Sequence, residues 1–178
     1  MVDKSNLKEA SNILDVGDVI LTFNNDNLFS QFIADVTDSD WSHASIYLGN
    51  GMIAESTALG AHISPLSNYF TGKHNIAIQR HLFLTPDERA AVTKDVMKKM
   101  DKRYGYLQMV WYLFVRLIGK SENPKWQLDL EPNAMVCSEA IAEVYRDSGY
   151  DIKPNYKSAG IEPVDFWESE QFVNIWNR

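Results

Sequence analysis

The sequence contains a single cysteine, Cys137, among its 178 residues. One cysteine cannot form an intramolecular disulfide, so non-covalent packing must hold the fold together. Glycine and proline are also scarce, with 9 and 6 copies, which excludes a collagen-like or low-complexity chain. Hydrophobic residues make up 45% of the chain and charged residues 23%, a composition typical of globular proteins. We therefore expect one domain that spans residues 1–178.

Basic residues are fewer than acidic ones: the chain has 17 Lys and Arg and 24 Asp and Glu, which gives a formal net charge of -7. Nucleic-acid binding is not expected, because neutralising phosphates requires clustered positive charge. The longest apolar run, Leu107–Ile118, is interrupted by Arg116. It is shorter than the roughly 20 residues that a transmembrane helix needs, so no transmembrane segment is expected.

The first 15 residues lack the apolar core of a secretory signal. The default expectation for localisation is therefore the cytoplasm. Release by lysis or by non-classical export would leave no mark in the sequence, and no pattern in it predicts an oligomeric state.

Strand patterns occupy the first half of the chain and helical patterns the second. Strands are predicted at Val19–Phe23, Trp41–Leu48, Met52–Ser56 and Asn75–Leu82, and helices at Asn6–Asn12, Leu28–Val36, from Thr85 onward, Tyr106–Ile118 and Val136–Ser148. This order of elements indicates an α+β fold. The C-terminal tail, which contains Pro154 and Pro163, is predicted to be irregular.

Two further features have structural interpretations. The aromatic residues Trp111, Tyr112 and Phe114 have helical spacing and are predicted to be core, although the same helix could wall a hydrophobic pocket or touch a membrane face. Asp18 lies just before the first predicted strand and is expected to terminate a turn there, with a carboxylate near the site as the alternative.

Cys137 is the candidate nucleophile. It lies in Val136-Cys137-Ser138-Glu139, within the first turn of a predicted helix. Unpaired N–H groups and the helix dipole favour a thiolate at this position, and the same N–H groups could stabilise an oxyanion. The alternative is that the cysteine is a small buried hydrophobe, which is usual for a free thiol.

His43 is the candidate base. The alternation of its strand places His43, Ser45 and Tyr47 on one polar face. Ser45 and Tyr47 could line a pocket beside His43 or be ordinary strand residues, and a lone histidine on a polar face is more often solvated than catalytic. No comparable context surrounds the other histidines, His62, His74 and His81.

Four segments together resemble the permuted papain-like amidases: Gly17-Asp18-Val19-Ile20, Ser42–Gly49, Ala54-Glu55 and Val136-Cys137-Ser138-Glu139. In that family, the YaeF/YiiX-like branch of the NlpC-type cysteine peptidase superfamily, the histidine strand precedes the cysteine helix, as it does here. The resemblance implies a circularly permuted papain-like fold, with an antiparallel sheet or small barrel packed against helices. It also implies a thiol hydrolase with Cys137 as nucleophile, His43 as general base and then acid, and Glu55 as the group that orients the imidazole.

The turn at Gly49-Asn50-Gly51 provides a geometric check on Glu55. A two-residue loop would place Glu55 on the face opposite to His43. A three-residue or bulged loop would instead pair Ser45 with Glu55, and His43 would become a diagonal neighbour at roughly 7–8 Å. The triad hypothesis therefore predicts a bulged register.

The resemblance favours amide cleavage through an acyl-thioester intermediate, on peptide-like substrates such as bacterial cell-wall peptides. Fatty-acyl amides or esters of lipids are the alternative substrates. Substrate binding is assigned to Ser45, Tyr47 and Ser138. No cofactor is required, and the four histidines and one cysteine lack zinc spacing, so no metal is assigned. A different interpretation is a catalytically silent binding or structural module in which Cys137 is inert.

Overall fold

A computed structural model describes residues 2–57, 60–99, 103–104, 106–119, 123, 125, 134–135, 137–154, 156–157 and 160–178. The helices are α1 (Lys4–Ile13), α2 (Leu28–Thr37), α3 (Pro86–Lys99), α4 (Tyr106–Leu117), α5 (Cys137–Asp147) and α6 (Pro163–Glu168), and a short 3-10 helix spans Leu66–Asn68. The strands are β1 (Val19–Asn24), β2 (His43–Gly49), β3 (Met52–Thr57), β4 (Gly60–Pro65), β5 (His74–His81), β6 (Arg103–Tyr104), β7 (Ala134–Met135) and β8 (Phe172–Asn177).

Six strands form one antiparallel sheet in the order β4-β3-β2-β1-β5-β8. The two short strands β6 and β7 form a separate parallel pair. The predicted α+β class and antiparallel sheet are confirmed. The alternative of a small barrel is wrong, because β4 and β8 lie at opposite edges and do not pair with each other.

The strongly patterned elements form where the sequence predicts them, whereas the four strands β4, β6, β7 and β8 and the helix α6 are not predicted. The prediction of an irregular tail is wrong, because the tail contains α6 and β8. β8 is an edge strand with mostly exposed residues, so it lacks the alternation that identifies a half-buried strand. β4 is bounded by Gly60 and Pro65, which read as turn residues. The predicted start of the last long helix, Val136, lies outside the described residues.

Both faces of the sheet pack against other elements, because neighbouring residues on a strand point to opposite sides. On one face, the strand residues Val19, Leu21, Ala44 and Ile46 join buried side chains of α3 and α5, among them Val92, Val96, Ile141 and Tyr145. On the other face, Ile20, Tyr47, Ile53 and Ile78 cluster with Ala10 of α1 and with Leu66 and Phe70. The core therefore has two layers, with the sheet between them.

α5 is held by a hydrogen bond near each of its ends, to the segment before α6 and to the turn before β1. Ser138 donates a hydrogen bond from Oγ to the carbonyl of Ile161 (2.6 Å), and Tyr145 donates from its hydroxyl to the carbonyl of Gly17 (3.1 Å). Gly17 has a φ of 87°, and a Cβ there would lie 3.2 Å from the Cβ of Arg89. The tight turn before β1 thus depends on glycine, and the position of α5 depends on that turn.

α4 has an exposed apolar side. Val110, Phe114 and Leu117 are 60%, 48% and 64% exposed, so the prediction that Phe114 belongs to the core is wrong. Leu113 and Val115 of the same helix are buried and Trp111 is half-buried, and the Tyr112 side chain lies outside the described residues. Within the part of the chain that the structure describes, no helix is long and apolar enough to cross a membrane.

Asp18 is fully buried and joins three parts of the fold. Its carboxylate accepts hydrogen bonds from Arg80 Nε (2.9 Å) and Nη2 (2.6 Å) and from the backbone N–H of Asp15 (2.8 Å), with Arg89 Nη1 at 3.3 Å. The turn before β1, strand β5 and helix α3 are therefore held together by one negative charge. This extends the structural role predicted for Asp18.

Replacing the Asp18 charge should destabilise the fold strongly. We expect Asp18→Asn to lower the free energy of unfolding in urea by about 3 kcal/mol, because two arginines would lose their buried partner. The matched control is Asp15→Asn, which removes an exposed carboxylate 3.1 Å from Arg80 and should cost less than about 1 kcal/mol. Equal losses in the two variants would contradict a structural role for Asp18.

Candidate active site

The β2–β3 hairpin has the bulged register that the triad hypothesis predicts. Tyr47 pairs with Ile53 and Ile46 with Ala54, while Leu48 is an extra residue between Tyr47 and Gly49. Gly49 has a φ of 93°, a conformation that glycine adopts without steric cost. Because of this register, His43 and Glu55 lie on the same face of the sheet, and His43 Nε2 is 3.0 Å from Glu55 Oε2.

The Glu55 carboxylate is buried among four donor groups. Oε2 contacts His43 and accepts a hydrogen bond from the hydroxyl of Tyr69, while Oε1 accepts one from Ser64 and lies 3.4 Å from His62 Nε2. These contacts match the number of lone-pair directions on a carboxylate. Burial opposes ionisation, but His43, Ser64 and Tyr69 outweigh it and lower the pKa of Glu55 to about 2.

The His43 imidazole lies between Glu55 and Cys137, with a hydrogen bond to each. Nε2 faces the carboxylate, so Nδ1 is the nitrogen that faces the thiol. The ring of Tyr69 stacks beside it, with centroids 6.1 Å apart and planes inclined by 17°. Burial disfavours the imidazolium, but the negative charges of Cys137 and Glu55 raise the pKa of His43 to about 10.

Cys137 is the first residue of α5 and lines a pocket. Burial alone would raise the pKa of its thiol, but the His43 imidazolium and hydrogen bonds from the backbone N–H groups of Ala44 and Ser138 lower it. The N–H of Ser138 belongs to the first turn of α5, where N–H groups have no partner within the helix. The arrangement therefore favours a thiolate–imidazolium pair, which makes a sulfur nucleophile available near neutral pH.

A cavity of about 280 Å³ opens beside this pair. Side chains from the sheet, from α2 and from the segment after β4 line it: Thr22, Asn24, Asn27, Phe29, Ser30, Ile33, Ser42, His43, Ser56, Thr57, Tyr69, His74 and Cys137. Strand pairing explains part of this set, because Thr22 is opposite His43 and Asn24 is opposite His74.

The structure does not bring Ser45, Tyr47 or Ser138, the predicted substrate-binding residues, into this cavity. All three are buried, and their hydroxyls bond within the protein. Ser45 and Ser138 donate to backbone carbonyls, and Tyr47 accepts from the N–H of Gly51 (3.0 Å). Their hydroxyls thus make hydrogen bonds inside the protein, and the assignment of these three residues to the substrate stays a prediction.

The sequence analysis missed four residues of the site. Tyr69 and Ser64 hold Glu55, His62 is its cross-strand partner, and His74 lines the cavity. His62 and His74 had been set aside because no local context marked them. The alternation of His62 and Ser64 is a signal for β4, but it identifies the site only when β4 is paired with β3.

Among the residues that the structure describes, no group of three or more His, Cys, Asp or Glu side chains is arranged to hold a metal ion.

Two comparisons with known proteins found matches to this chain. A model of the permuted papain-like amidase enzymes, the YaeF/YiiX C92 family, matches residues 13–114. Among solved structures, the crystal structure of the metalloprotein YiiX from Escherichia coli O157:H7 is similar, with a TM-score of 0.61 and 14% identity, and the match covers 92% of this chain and 97% of that chain. At this identity the similarity concerns the fold. No curated protein matches the sequence.

Removing the charge of Glu55 should make the thiolate form of Cys137 less stable. We expect Glu55→Gln to raise the pH at which Cys137 ionises, by about one unit, because His43 loses the carboxylate that stabilises its imidazolium. The ultraviolet absorbance of the thiolate reports this directly, since Cys137 is the single cysteine. Glu143→Gln on α5, whose carboxylate is paired with Lys99 (3.1 Å), should leave the titration unchanged. A titration curve of Glu55→Gln that overlays the parent would argue against electrostatic coupling.

Proposed function

The chain belongs to the family of permuted papain-like amidases, and from that premise we propose that it cleaves amide bonds with a catalytic triad of Cys137, His43 and Glu55. The observation that supports this most is the His43 ring, which is hydrogen-bonded on one side to a buried carboxylate and on the other to a thiol of lowered pKa. A structural histidine would not require both partners.

In the first half of the reaction, the Cys137 thiolate attacks the carbonyl carbon of the amide and forms a C–S bond. The carbonyl oxygen becomes an oxyanion, which the N–H groups at the start of α5 can stabilise. His43 then donates its Nδ1 proton to the leaving nitrogen, the C–N bond breaks, and an acyl thioester remains on Cys137.

In the second half, the neutral His43 accepts a proton from water as the water oxygen attacks the thioester. The C–S bond breaks, the carboxylic acid leaves, and the thiolate–imidazolium pair is restored. Glu55 orients the ring and stabilises its charge during both halves. Tyr69 is a positioning residue, because its hydroxyl holds Glu55 and its ring packs beside His43.

We assign peptide-like amides, including those of bacterial cell-wall peptides, as the substrates that suit the cavity best. Hydroxyl, amide and imidazole groups lie among its lining residues around Cys137, although more of the lining surface is apolar than polar. Amide bonds flanked by further amide bonds offer partners for such groups, whereas a simple hydrocarbon chain does not.

A second candidate substrate is an acyl lipid, and one observation favours it. Leu28, Phe29 and Phe32 of α2 are exposed large apolar side chains, as are Val110, Phe114 and Leu117 of α4. α2 and α4 pack together, and Phe29 also lines the cavity. A hydrocarbon chain leaving the cavity could therefore lie on this surface.

The pH dependence of alkylation tests the triad. An ordinary thiol of pKa about 8.5 is almost fully protonated at pH 6, whereas the lowered pKa of Cys137 keeps a thiolate there. We expect iodoacetamide to modify the parent protein at pH 6 about 100-fold faster than His43→Ala, whose thiol loses the cation that stabilises it. Rates should be measured between pH 5 and 9.

The matched control is His74→Ala, which removes an imidazole from the same cavity and should keep rapid alkylation at pH 6. The parent, but not His43→Ala, should also hydrolyse members of an N-acyl amino-acid anilide panel. If parent and His43→Ala share an ordinary alkaline profile, the proposed mechanism fails and a silent binding module becomes the better interpretation.

A further inference from the structure

Two asparagines on one wall of the cavity have unused donor groups. Asn24 ends β1 and Asn27 is the N-cap of α2, and both line the cavity that contains Cys137. The catalytic steps above use neither of them. Their side-chain amides each have one acceptor end, Oδ1, and one donor end, Nδ2, which can be accounted for separately.

The acceptor ends are engaged by the backbone. Asn24 Oδ1 accepts a hydrogen bond from the N–H of Asp26 (3.0 Å). Asn27 Oδ1 accepts from the N–H groups of Phe29 (2.8 Å) and Ser30 (3.1 Å), which caps α2. These bonds fix which end of each amide remains available to a ligand.

The donor ends have no acceptor among the residues that the structure describes. Neither Nδ2 group makes a hydrogen bond there, although the neighbouring Asn25 donates from its Nδ2 to the carbonyl of Lys73 (3.1 Å) and to Asn75 Oδ1 (3.0 Å). These two side chains, one half-buried and one exposed, therefore offer neutral N–H donors at the cavity. Since neither Lys nor Arg is among the described side chains that line the cavity, it suits a neutral acceptor better than an anion.

We propose that Asn24 and Asn27 form a subsite for a carbonyl oxygen of the substrate other than the one attacked by Cys137. The ligand class is an amide that carries a second amide or ester carbonyl close to the scissile bond, and a plain acyl chain lacks this group. This inference rests on the proposed function, and it makes the two asparagines specificity-determining residues for peptide-like substrates over simple acyl amides.

A matched pair of alkylating reagents tests the subsite without a known substrate. Iodoacetyl-glycine N-methylamide carries a second carbonyl, and N-butyl iodoacetamide replaces that CO–NH unit with two methylene groups. Both react by attack of Cys137 Sγ on the iodomethyl carbon, so that a C–S bond forms as iodide leaves. The measured quantity is the ratio of their second-order rate constants at one pH.

Aspartate is the informative replacement for each asparagine. Asn24→Asp and Asn27→Asp keep an oxygen that accepts the backbone N–H bonds, and aspartate caps a helix as well as asparagine does. Each substitution changes the donor into an acceptor that repels a carbonyl. The control is Asn25→Asp, which adds the same charge to the same loop at a residue that does not line the cavity.

We expect the parent to prefer the glycine reagent by about 5- to 10-fold, the value of one or two neutral hydrogen bonds. The ratio should fall to about 1 in Asn24→Asp and Asn27→Asp and stay at the parent value in Asn25→Asp, with unchanged circular dichroism spectra. A parent ratio of about 1, or a ratio that survives both substitutions, would overturn the subsite.

If Cys137 is not an activated nucleophile, the experiment gives a result that differs from the one expected when only the subsite is absent. An inactive thiol would slow both reagents together at pH 6, yet their ratio remains measurable at pH 9, where an ordinary thiol reacts. The pH profile therefore tests Cys137 as a nucleophile, and the ratio tests Asn24 and Asn27.

Discussion

The buried negative charge of Glu55 is the constraint on which the rest of the site depends. A carboxylate removed from water must be compensated, and here two hydroxyls and two imidazoles surround it. This compensation keeps Glu55 ionised, and the ionised group in turn raises the pKa of His43. A charged His43 then lowers the pKa of Cys137. The reactivity of the thiol therefore depends on Glu55, which acts on it through His43.

The pairing register of the strands brings these charged side chains together. The bulge at Leu48 shifts β3 against β2 so that Glu55 and His43 share a face, and pairing of β4 with β3 adds His62 and Ser64 to the same group. The N-terminus of α5 lies beside the start of β2, where Cys137 contacts His43 and the backbone of Ala44. The first-turn N–H groups lower the cost of negative charge on sulfur there. Asp18 is a second buried charge, and it stabilises the turn that α5 contacts.

The surroundings of Cys137 combine polar and apolar features. Asparagine donors and hydroxyls line the cavity, whereas exposed aromatic and aliphatic side chains of α2 and α4 lie beside it, with Phe29 belonging to both. A peptide-like substrate with an apolar group would use both parts. In the proposed subsite, the two asparagine donors would favour such a substrate over a plain hydrocarbon chain, because an acyl chain would leave them without partners when it excludes water.

The sequence by itself determined the fold class, most of the strongly patterned helices and strands, and the family that the chain resembles. It also identified Cys137 as the candidate nucleophile and His43 as the candidate base. These follow from local periodicity, turn chemistry and motifs within a few residues. Only the tertiary structure decided that Tyr69, His62 and Ser64 surround Glu55, that Tyr47 is core, and that Asn24 and Asn27 face the cavity. Those roles depend on which strand pairs with which and on the bulged register, contacts between distant residues that no local pattern specifies.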